Sequence, residues 1–264
     1  MKKSPLRHLI VTGQFHLELI FYKTYANLKR EIDKMYLGCL WWLFEPIINT
    51  VVMYLIFSHV LKNRTENFIV FIFIGTVVYG HIASSISNGA SAIISNANLL
   101  SFYNFSKMIY PIVSILNITW KFLFSFMVIL PLLWFLKMPI TMAYLALPLL
   151  LAYQVFIGIS ICLPFCILMP YFQDGKTVLA TVMSVGIWLS GVFYTSEQVP
   201  EHLRQLFYFN PAAVTIEAHR DILMYGRWPH WERFITSGTF CLASCLLGLY
   251  LMKKLSRKIT KIPM

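Results

Sequence analysis

The side chains best suited to chemistry in this 264-residue chain lie close together: Glu217, His219, Arg220 and Asp221. Carboxylates, an imidazole and a guanidinium within five residues are the groups of an acid–base site. Arg220 also follows Glu217 by three residues, so a helix would place the two on one face as a surface ion pair. Both interpretations stay open, and the ion pair requires fewer assumptions.

Two other ionisable residues, Glu45 and Lys121, lie inside long apolar stretches. If such a stretch crosses a bilayer, a charge near its centre costs on the order of 3 kcal/mol on insertion scales, which aliphatic neighbours offset. Each charge should then face protein or water. The Lys121 side chain could instead extend to the interface, and for Glu45 a functional and a structural role are equally open.

Gly175-Lys176-Thr177 resembles the end of a phosphate-binding loop, but Pro170 stands where that motif needs its first glycine. We therefore expect no nucleotide site, and no segment is long enough for a soluble ATPase domain. The seven histidines are scattered, and the five cysteines lie in apolar stretches without His or carboxylate neighbours. We predict packing cysteines, no metal site and no cofactor in this chain.

The composition indicates an integral membrane protein. Hydrophobic residues make up 58% of the chain and charged residues only 12%, against roughly 25% charged in a soluble domain. A soluble fold could not bury so much apolar surface, whereas a helical bundle exposes it to lipid. The formal charge of +11 fits cytoplasmic loops of a membrane protein better than nucleic-acid binding.

Six apolar stretches are long enough for membrane-spanning helices, which need roughly 20 residues. They are 37–61, 68–90, 112–136, 142–169, 178–194 and 234–252. Pro148 and Pro164 predict a kink or tilt in the fourth. The predicted fold is an all-α polytopic membrane protein with a single transmembrane domain over 1–264. It comprises a tail and interfacial helix (1–36), a six-span bundle (37–252) and a second tail (253–264).

The basic residues predict the orientation. Seven of the 22 Lys and Arg residues lie in 1–36 and five follow Met252. An even number of spans puts both ends on one side, and the positive-inside rule makes that side the cytoplasm. We expect no cleavable signal peptide, because the first 35 residues are charged and lack a long apolar core.

Two segments outside the spans have helical patterns. After a basic tail at 1–12, apolar residues recur every three or four positions over 14–35, which predicts an amphipathic helix in the headgroup plane. These are Leu17, Phe21, Tyr25, Leu28, Ile32 and Met35. The external segment 196–231 predicts two short re-entrant helices, 201–209 and 212–225, which are separated by Asn210-Pro211 and closed by Gly226.

Aromatic residues gather at the predicted span ends. Trp41, Trp42, Trp120, Trp134, Trp188 and Tyr194 lie there. Anchoring at the membrane interface explains them. A sharper alternative is a path for sugars, whose apolar faces pack against aromatic rings.

Motifs spread in order along nearly the whole chain resemble those of one family. They are Leu37-Gly38-Cys39-Leu40-Trp41, Glu45-Pro46, Asn98-Leu99-Leu100, Lys107, Pro111, Phe172-Gln173-Asp174, Val199-Pro200, Asn210-Pro211, Arg220 and Gly226. Together they resemble the type-2 ABC exporter permeases, in particular the O-antigen polysaccharide permeases and then the capsule permeases. Gln173 departs from the arginine that the family commonly has at this position.

The resemblance implies a transport subunit rather than an enzyme. Two copies of the chain would pair with two separate ATP-binding cassette subunits, which would hold the ATP and Mg. The cargo would be a lipid-linked polysaccharide, undecaprenyl-linked for O-antigen, exported across the bacterial inner membrane. No nucleic acid is expected as a partner.

The resemblance also implies roles for individual residues. Substrate-path candidates on spans one and five are Trp41, Trp42, Phe44, Glu45, Trp188 and Tyr194. Candidates for docking the ATPases are Lys29, Arg30, Asn98, Leu99, Leu100 and Lys107. Candidates for an external gate are Pro200, Asn210, Pro211, Glu217 and Arg220.

Three other functions remain as alternatives. One is a permease for a capsular or teichoic-type polymer, a drug or a small lipid, which the sequence does not separate from an O-antigen permease. A polytopic transferase acting on lipid-linked sugar would need a membrane-embedded acid or base, and Glu45 is the one candidate. An ion-coupled carrier predicts paired intramembrane charges or an inverted repeat, and we find neither in the sequence.

Overall fold

A computed structural model describes residues 5–60, 67–96, 107–172 and 174–259. Within these ranges the chain forms nine α-helices and no β-strand. We number them α1 (Pro5–Lys34), α2 (Trp41–Leu55), α3 (Phe68–Ser95), α4 (Ile109–Phe135), α5 (Leu147–Leu168), α6 (Gly175–Leu189), α7 (Glu201–Phe209), α8 (Pro211–Leu223) and α9 (Arg233–Ile259). The predicted all-α fold is confirmed.

Five helical segments in the described ranges are long and apolar enough to cross a membrane. They are Gly38–Ser58, Phe68–Ser95, Ile109–Phe135, Met142–Tyr171 and Arg233–Leu255. The protein is therefore a polytopic membrane protein. The fifth predicted span is α6, which has 15 residues and is about 22 Å long, shorter than a bilayer core of roughly 30 Å. The six-span count stays a prediction for this helix.

The predicted end of the fifth span, at residue 194, is wrong. The helix ends at Leu189 although apolar residues resume at Val192 and Phe193. Gly191 has a φ of +68°, a left-handed conformation that glycine adopts readily and that breaks a helix. A Cβ at Gly191 would also lie 2.8 Å from Cζ of Phe207. Tyr194 consequently lies outside α6.

Helix α3 is the centre of the bundle. It packs against α2, α4, α5, α6 and α8, and 67% of its most apolar window is buried, compared with 6% for the span that contains α2. Glycines bring α3 and α5 together: a Cβ on Gly158 would lie 2.9 Å from the Ser85 Cβ, and one on Gly89 would lie 2.9 Å from the Cys162 sulfur. This close approach needs residues without side chains.

Helix α5 also packs against α9. The Ser244 hydroxyl donates to the Ser160 carbonyl at 2.9 Å, and a Cβ on Gly248 would lie 2.6 Å from the Leu163 Cβ. Pro148 lies in the first turn of α5, so it starts this helix instead of kinking it. None of the five cysteines is paired, and Cys162, Cys166 and Cys241 are buried. The predicted use as packing residues is confirmed for these three, whereas Cys39 and Cys245 are only partly buried.

The predicted amphipathic helix is present, but it begins at Pro5, inside the segment where we expected a tail. Ile20 and Thr24 face the bundle, where Ile20 packs with residues of α4. Leu17, Phe21 and Tyr25 of the apolar stripe are more than half exposed. An apolar stripe that none of the described residues covers is what a helix in the headgroup plane presents to lipid.

The two short helices of the segment 196–231 follow the prediction closely. Helix α7 has the predicted ends, and α8 covers Pro211–Leu223 instead of 212–225. The Asn210 side chain accepts from the Ala212 amide at 3.0 Å and caps α8. Gly226 has a φ of +62° and turns the chain. The last helix, α9, continues to Ile259, seven residues past the predicted end.

Candidate functional site

Small and polar residues form a stripe along α3. They recur every three or four positions, so they lie on one face of the helix: Thr76, Gly80, Ser84, Asn88, Ser91 and Ser95. Two cavities border this stripe, and Asn88 lines both of them. The stripe and the two cavities together are the polar groove. Such residues are costly against lipid and mark a path for polar ligands or a protein contact.

The first cavity of the polar groove has a volume of about 310 Å³ and lies between α1, α2, α3 and α4. Trp41, Trp42 and Glu45 of α2 line it together with Asn49. Three of the predicted path residues therefore lie in one cavity. Glu45 is exposed within this chain, as expected of a carboxylate that must face water or another protein surface in the bilayer.

One wall of this cavity is held by an ion pair between α1 and α4. The Lys121 ammonium donates to Glu31, and the Trp42 indole N–H donates to the same carboxylate oxygen at 3.3 Å. The Ser125 hydroxyl donates to the Trp42 carbonyl at 2.9 Å. Lys121 thus has an anionic partner in the protein, and Glu31 joins α1 to α2 and α4.

The second cavity has a volume of about 280 Å³ and lies at the Ser95 end of α3, between α1, α3, α4 and α6. Lys23 and Lys176 line it with serines and asparagines, and none of its described lining residues is acidic. The Lys23 ammonium donates to the Asn96 side-chain oxygen at 3.1 Å and lies 4.1 Å from the centre of the Tyr110 ring. Burial lowers the pKa of Lys23, and the nearby positive charge of Arg30 lowers it further to a smaller extent.

The side-chain oxygen of Asn117 in this second cavity is buried without a described donor. A hydroxyl-bearing ligand would supply one. Amide and hydroxyl groups with two ammonium groups bind sugar hydroxyls and anions. The polar groove therefore has the chemistry of a binding path.

The remaining path candidates lie elsewhere. The exposed Phe44 lies on α2 beside Trp41, with a ring distance of 6.4 Å. Trp188 packs on Phe193 at 4.9 Å. The Tyr194 ring lies 6.0 Å from that of Phe207. Trp188 and Tyr194 are thus near the Phe68 end of α3, so the structure does not bring the six candidates together.

The predicted ion pair between Glu217 and Arg220 is wrong, because each of the two has other partners. Arg220 is buried and donates to the carbonyls of Phe71 at 3.1 Å, Gly191 at 2.7 Å and Val192 at 2.7 Å. Burial lowers its pKa to about 9, so it stays charged at neutral pH. Gly75 makes room for it, since a Cβ there would lie 2.7 Å from Nη2 of Arg220.

The other members of the cluster also have separate partners. Glu217 accepts from Arg233 at 2.8 Å and Asp221 from Arg227 at 2.7 Å. His219 Nδ1 donates to the Thr215 carbonyl at 2.8 Å; burial lowers its pKa to about 4, so it is neutral at pH 7. The four side chains therefore do not form a shared acid–base site in this structure.

A comparison with known families identifies the chain. Residues 19–224 match the model of the family described as ABC-2 type transporter. The chain belongs to the ABC-2 type transporter family. The match runs from α1 to the end of α8, so it includes both cavities of the polar groove.

Three curated proteins are similar to this ABC-2 transporter chain over most of their length. Two are named O-antigen export system permease protein RfbA, from Klebsiella pneumoniae. One is 24% identical over 93% of this chain and 95% of its own, and the other is 24% identical over 79% and 81%. A protein of the same name from Myxococcus xanthus is 23% identical over 78% and 80%.

The predicted docking residues of this ABC-2 chain lie on two segments. Lys29 and Arg30 are exposed on α1, and the Arg30 guanidinium donates to Asn27 at 2.7 Å. Lys107 is partly buried just before α4. Asn98, Leu99 and Leu100 lie outside the described residues. Among the gate candidates, Pro200 precedes α7, and Asn210 and Pro211 begin α8.

The polar stripe is the feature that sequence reasoning missed in this ABC-2 transporter. Its signal was present as small and polar residues every three or four positions within an apolar span. Lys176 was considered only as part of a false nucleotide motif, yet it lies at the start of α6 beside the groove. No local pattern indicates that four separate helices would enclose the stripe.

Proposed function

We propose that this chain is the permease subunit of an ATP-driven exporter that moves lipid-linked polysaccharide, O-antigen in particular, across the bacterial inner membrane. The observation that carries the proposal is the polar groove in a chain of this family. Its hydroxyl, amide and ammonium groups match a glycan joined to an anionic lipid carrier. The relatives named as O-antigen export permeases, one of which aligns over 93% of this chain, support the cargo.

The proposed subunit acts as one of two copies. Glu45 and Asn49 are exposed on α2, and charged or amide groups are costly against lipid. A second copy would cover this face and enclose the groove between the two chains. Glycan would then pass along Trp41, Trp42 and Glu45, while the rings near Trp188 and Tyr194 would line the far end.

Energy in this proposal comes from two separate ATP-binding cassette subunits, which hold the ATP and Mg. They would dock on Lys29 and Arg30 of α1 and on the segment with Asn98, Leu99, Leu100 and Lys107. Both termini would face the cytoplasm, which also places the second cavity at the cytoplasmic end of the groove. The segment with Pro200, Asn210 and Pro211 would close the external mouth, with Glu217 and Arg220 holding its helices in place.

The test is export in a strain from which the gene is deleted. Wild-type protein should restore polysaccharide at the cell surface, and without it the lipid-linked polymer should accumulate on the cytoplasmic face. Asn88→Leu, which removes an amide shared by both cavities, should lower surface polysaccharide several-fold at equal protein level. Thr239→Leu is the matched control, because Thr239 is exposed on α9 and, in the part of the chain that the structure describes, its hydroxyl donates only to Thr236 of the same helix.

Two results would contradict the proposal. One is normal surface polysaccharide in the deletion strain. The other is failure of an ATP-binding cassette subunit to copurify with the chain from membranes that export the polymer.

A further inference from the structure

A third polar cavity, the arginine cavity, lies at the opposite end of the bundle from α1. It has a volume of about 560 Å³ and is enclosed by α7, α8 and the segments that flank them. Phe71, at the start of α3, lines it, whereas the polar groove extends to the other end of α3. Four arginines contribute to its wall: Arg204, Arg220, Arg227 and Arg233.

The arginine cavity holds more guanidinium groups than its described carboxylates neutralise. Glu217 and Asp221 pair with Arg233 and Arg227, and Arg220 donates to backbone carbonyls. Glu197, the third carboxylate, is exposed. Four guanidinium groups therefore face three carboxylates.

Arg204 is the guanidinium without a strong partner. Among the described acceptors, its Nη2 reaches only the Val199 carbonyl, at 3.5 Å. Its Nε is sealed from solvent and donates to none of the described acceptors. A buried N–H of a charged group needs an acceptor. The planar fork of arginine is suited to two oxygens of one phosphate, so an anionic phosphate is the ligand that this corner of the cavity fits.

The surroundings of the arginine cavity place its mouth beside lipid. Arg204 and Tyr208 lie one turn apart on the cavity side of α7. Leu203 and Leu206 of the same helix are 43% and 68% exposed. Trp228, in the loop that borders the cavity, is 54% exposed. An amphipathic helix and an exposed indole are typical of the level of lipid headgroups.

We propose that the arginine cavity binds the phosphate group of a membrane lipid, with Arg204 as its main ligand. The apolar side of α7 then lies against the acyl chains of the same leaflet. The proposal does not depend on which cargo the permease exports, since it concerns the far end of the bundle and lipid that is present in any case.

The test measures lipid binding to the full-length chain in a nonionic detergent by microscale thermophoresis. Dioctanoyl phosphatidylglycerol should bind, and its affinity should fall as the salt concentration is raised. Arg204→Gln should weaken it by about tenfold, the effect of losing one charge-assisted hydrogen bond. Lys137→Gln is the matched control, because it removes an exposed cation at the same end of the bundle, outside the cavity; its affinity should equal that of wild type.

A second variant tests the site without touching a buried group. Glu197→Gln removes an exposed opposing carboxylate and should tighten binding several-fold; unchanged or weaker binding contradicts the proposal. Equal affinity of Arg204→Gln and wild type would overturn it. So would equally tight binding of dioctanoylglycerol, which has the same chains without phosphate. Arg204-dependent binding of inorganic pyrophosphate at the same concentrations as the lipid would assign the cavity to a soluble anion instead.

Discussion

Arg220 joins three parts of the chain that are far apart in sequence. Its acceptors are Phe71 at the start of α3 and Gly191 and Val192 after α6, and its guanidinium lies 3.3 Å from the centre of the Phe71 ring. The two acceptors after α6 lie outside regular helix, so the arginine satisfies carbonyls that have no other described partner. Arg220 therefore holds the start of α3 and the segment after α6 against α8, and it is not a surface charge.

Replacement of Arg220 should therefore destabilise the fold. Arg220→Met keeps much of the volume but leaves two buried carbonyls unpaired, each at a cost of about 1–3 kcal/mol. We expect the free energy of unfolding to fall by about 3 kcal/mol or more, measured by thermal unfolding in detergent. Lys137→Met, an exposed change at the same end of the bundle, should stay within about 0.5 kcal/mol of wild type. Equal unfolding temperatures for the two variants would contradict this role.

At the scale of elements, the ends of helices were predicted correctly where proline or asparagine marks them in the sequence. Pro200 and Asn210-Pro211 delimit α7, so both of its ends were predicted correctly. The end of α6 was not, because apolar residues resume at Val192 and Phe193 and the break depends on Gly191 against Phe207. The partners of Arg220 could not be predicted from the sequence either, because its acceptors lie 28 to 149 residues away along the chain.

Gly158 of α5 lies at a close helix contact, whereas Gly80 of α3 borders open space, and substitution by alanine should have opposite effects on stability at the two positions. Gly158→Ala would force a Cβ to within 2.9 Å of Ser85 and should cost about 1–3 kcal/mol of stability. A Cβ on Gly80 would meet no atom of the other described residues within 4 Å outside its own helix backbone, so Gly80→Ala should raise stability by about 0.5–1 kcal/mol. Thermal unfolding of the two purified variants measures the difference.

A larger substitution at Gly80 tests transport without an expected loss of stability. Gly80→Leu places a bulky side chain in the first cavity of the polar groove, and we expect it to lower export while the protein remains folded. A folded Gly80→Leu protein with wild-type export would show that this cavity is not part of the path.

At the scale of the whole molecule, the exposed face of α2 supports the proposed pairing of two copies. Its Glu45 and Asn49 border a cavity that one chain leaves open, and Ile48 and Val52 beside them are about half exposed. The sequence predicted the membrane class of the fold from composition alone. It could not show which side chains remain uncovered, because that depends on how α2 packs against α3.

A second copy of the chain on this face gives a direct prediction. In a background without native cysteines, Asn49→Cys should cross-link two copies in native membranes with a short bifunctional thiol reagent. Leu242→Cys, exposed on α9, serves as the comparison and should yield little cross-linked dimer. Equal yields at the two positions would place the contact elsewhere on the bundle.

The ion pair of Glu31 with Lys121, reinforced by Trp42, has a mechanical consequence. It joins α1 to two of the helices that surround the first cavity. In the proposed exporter, a push of a docked ATPase on α1 would reach α2 and α4 through this joint. The stiffness of the joint would then set how much of that movement reaches the space between the helices.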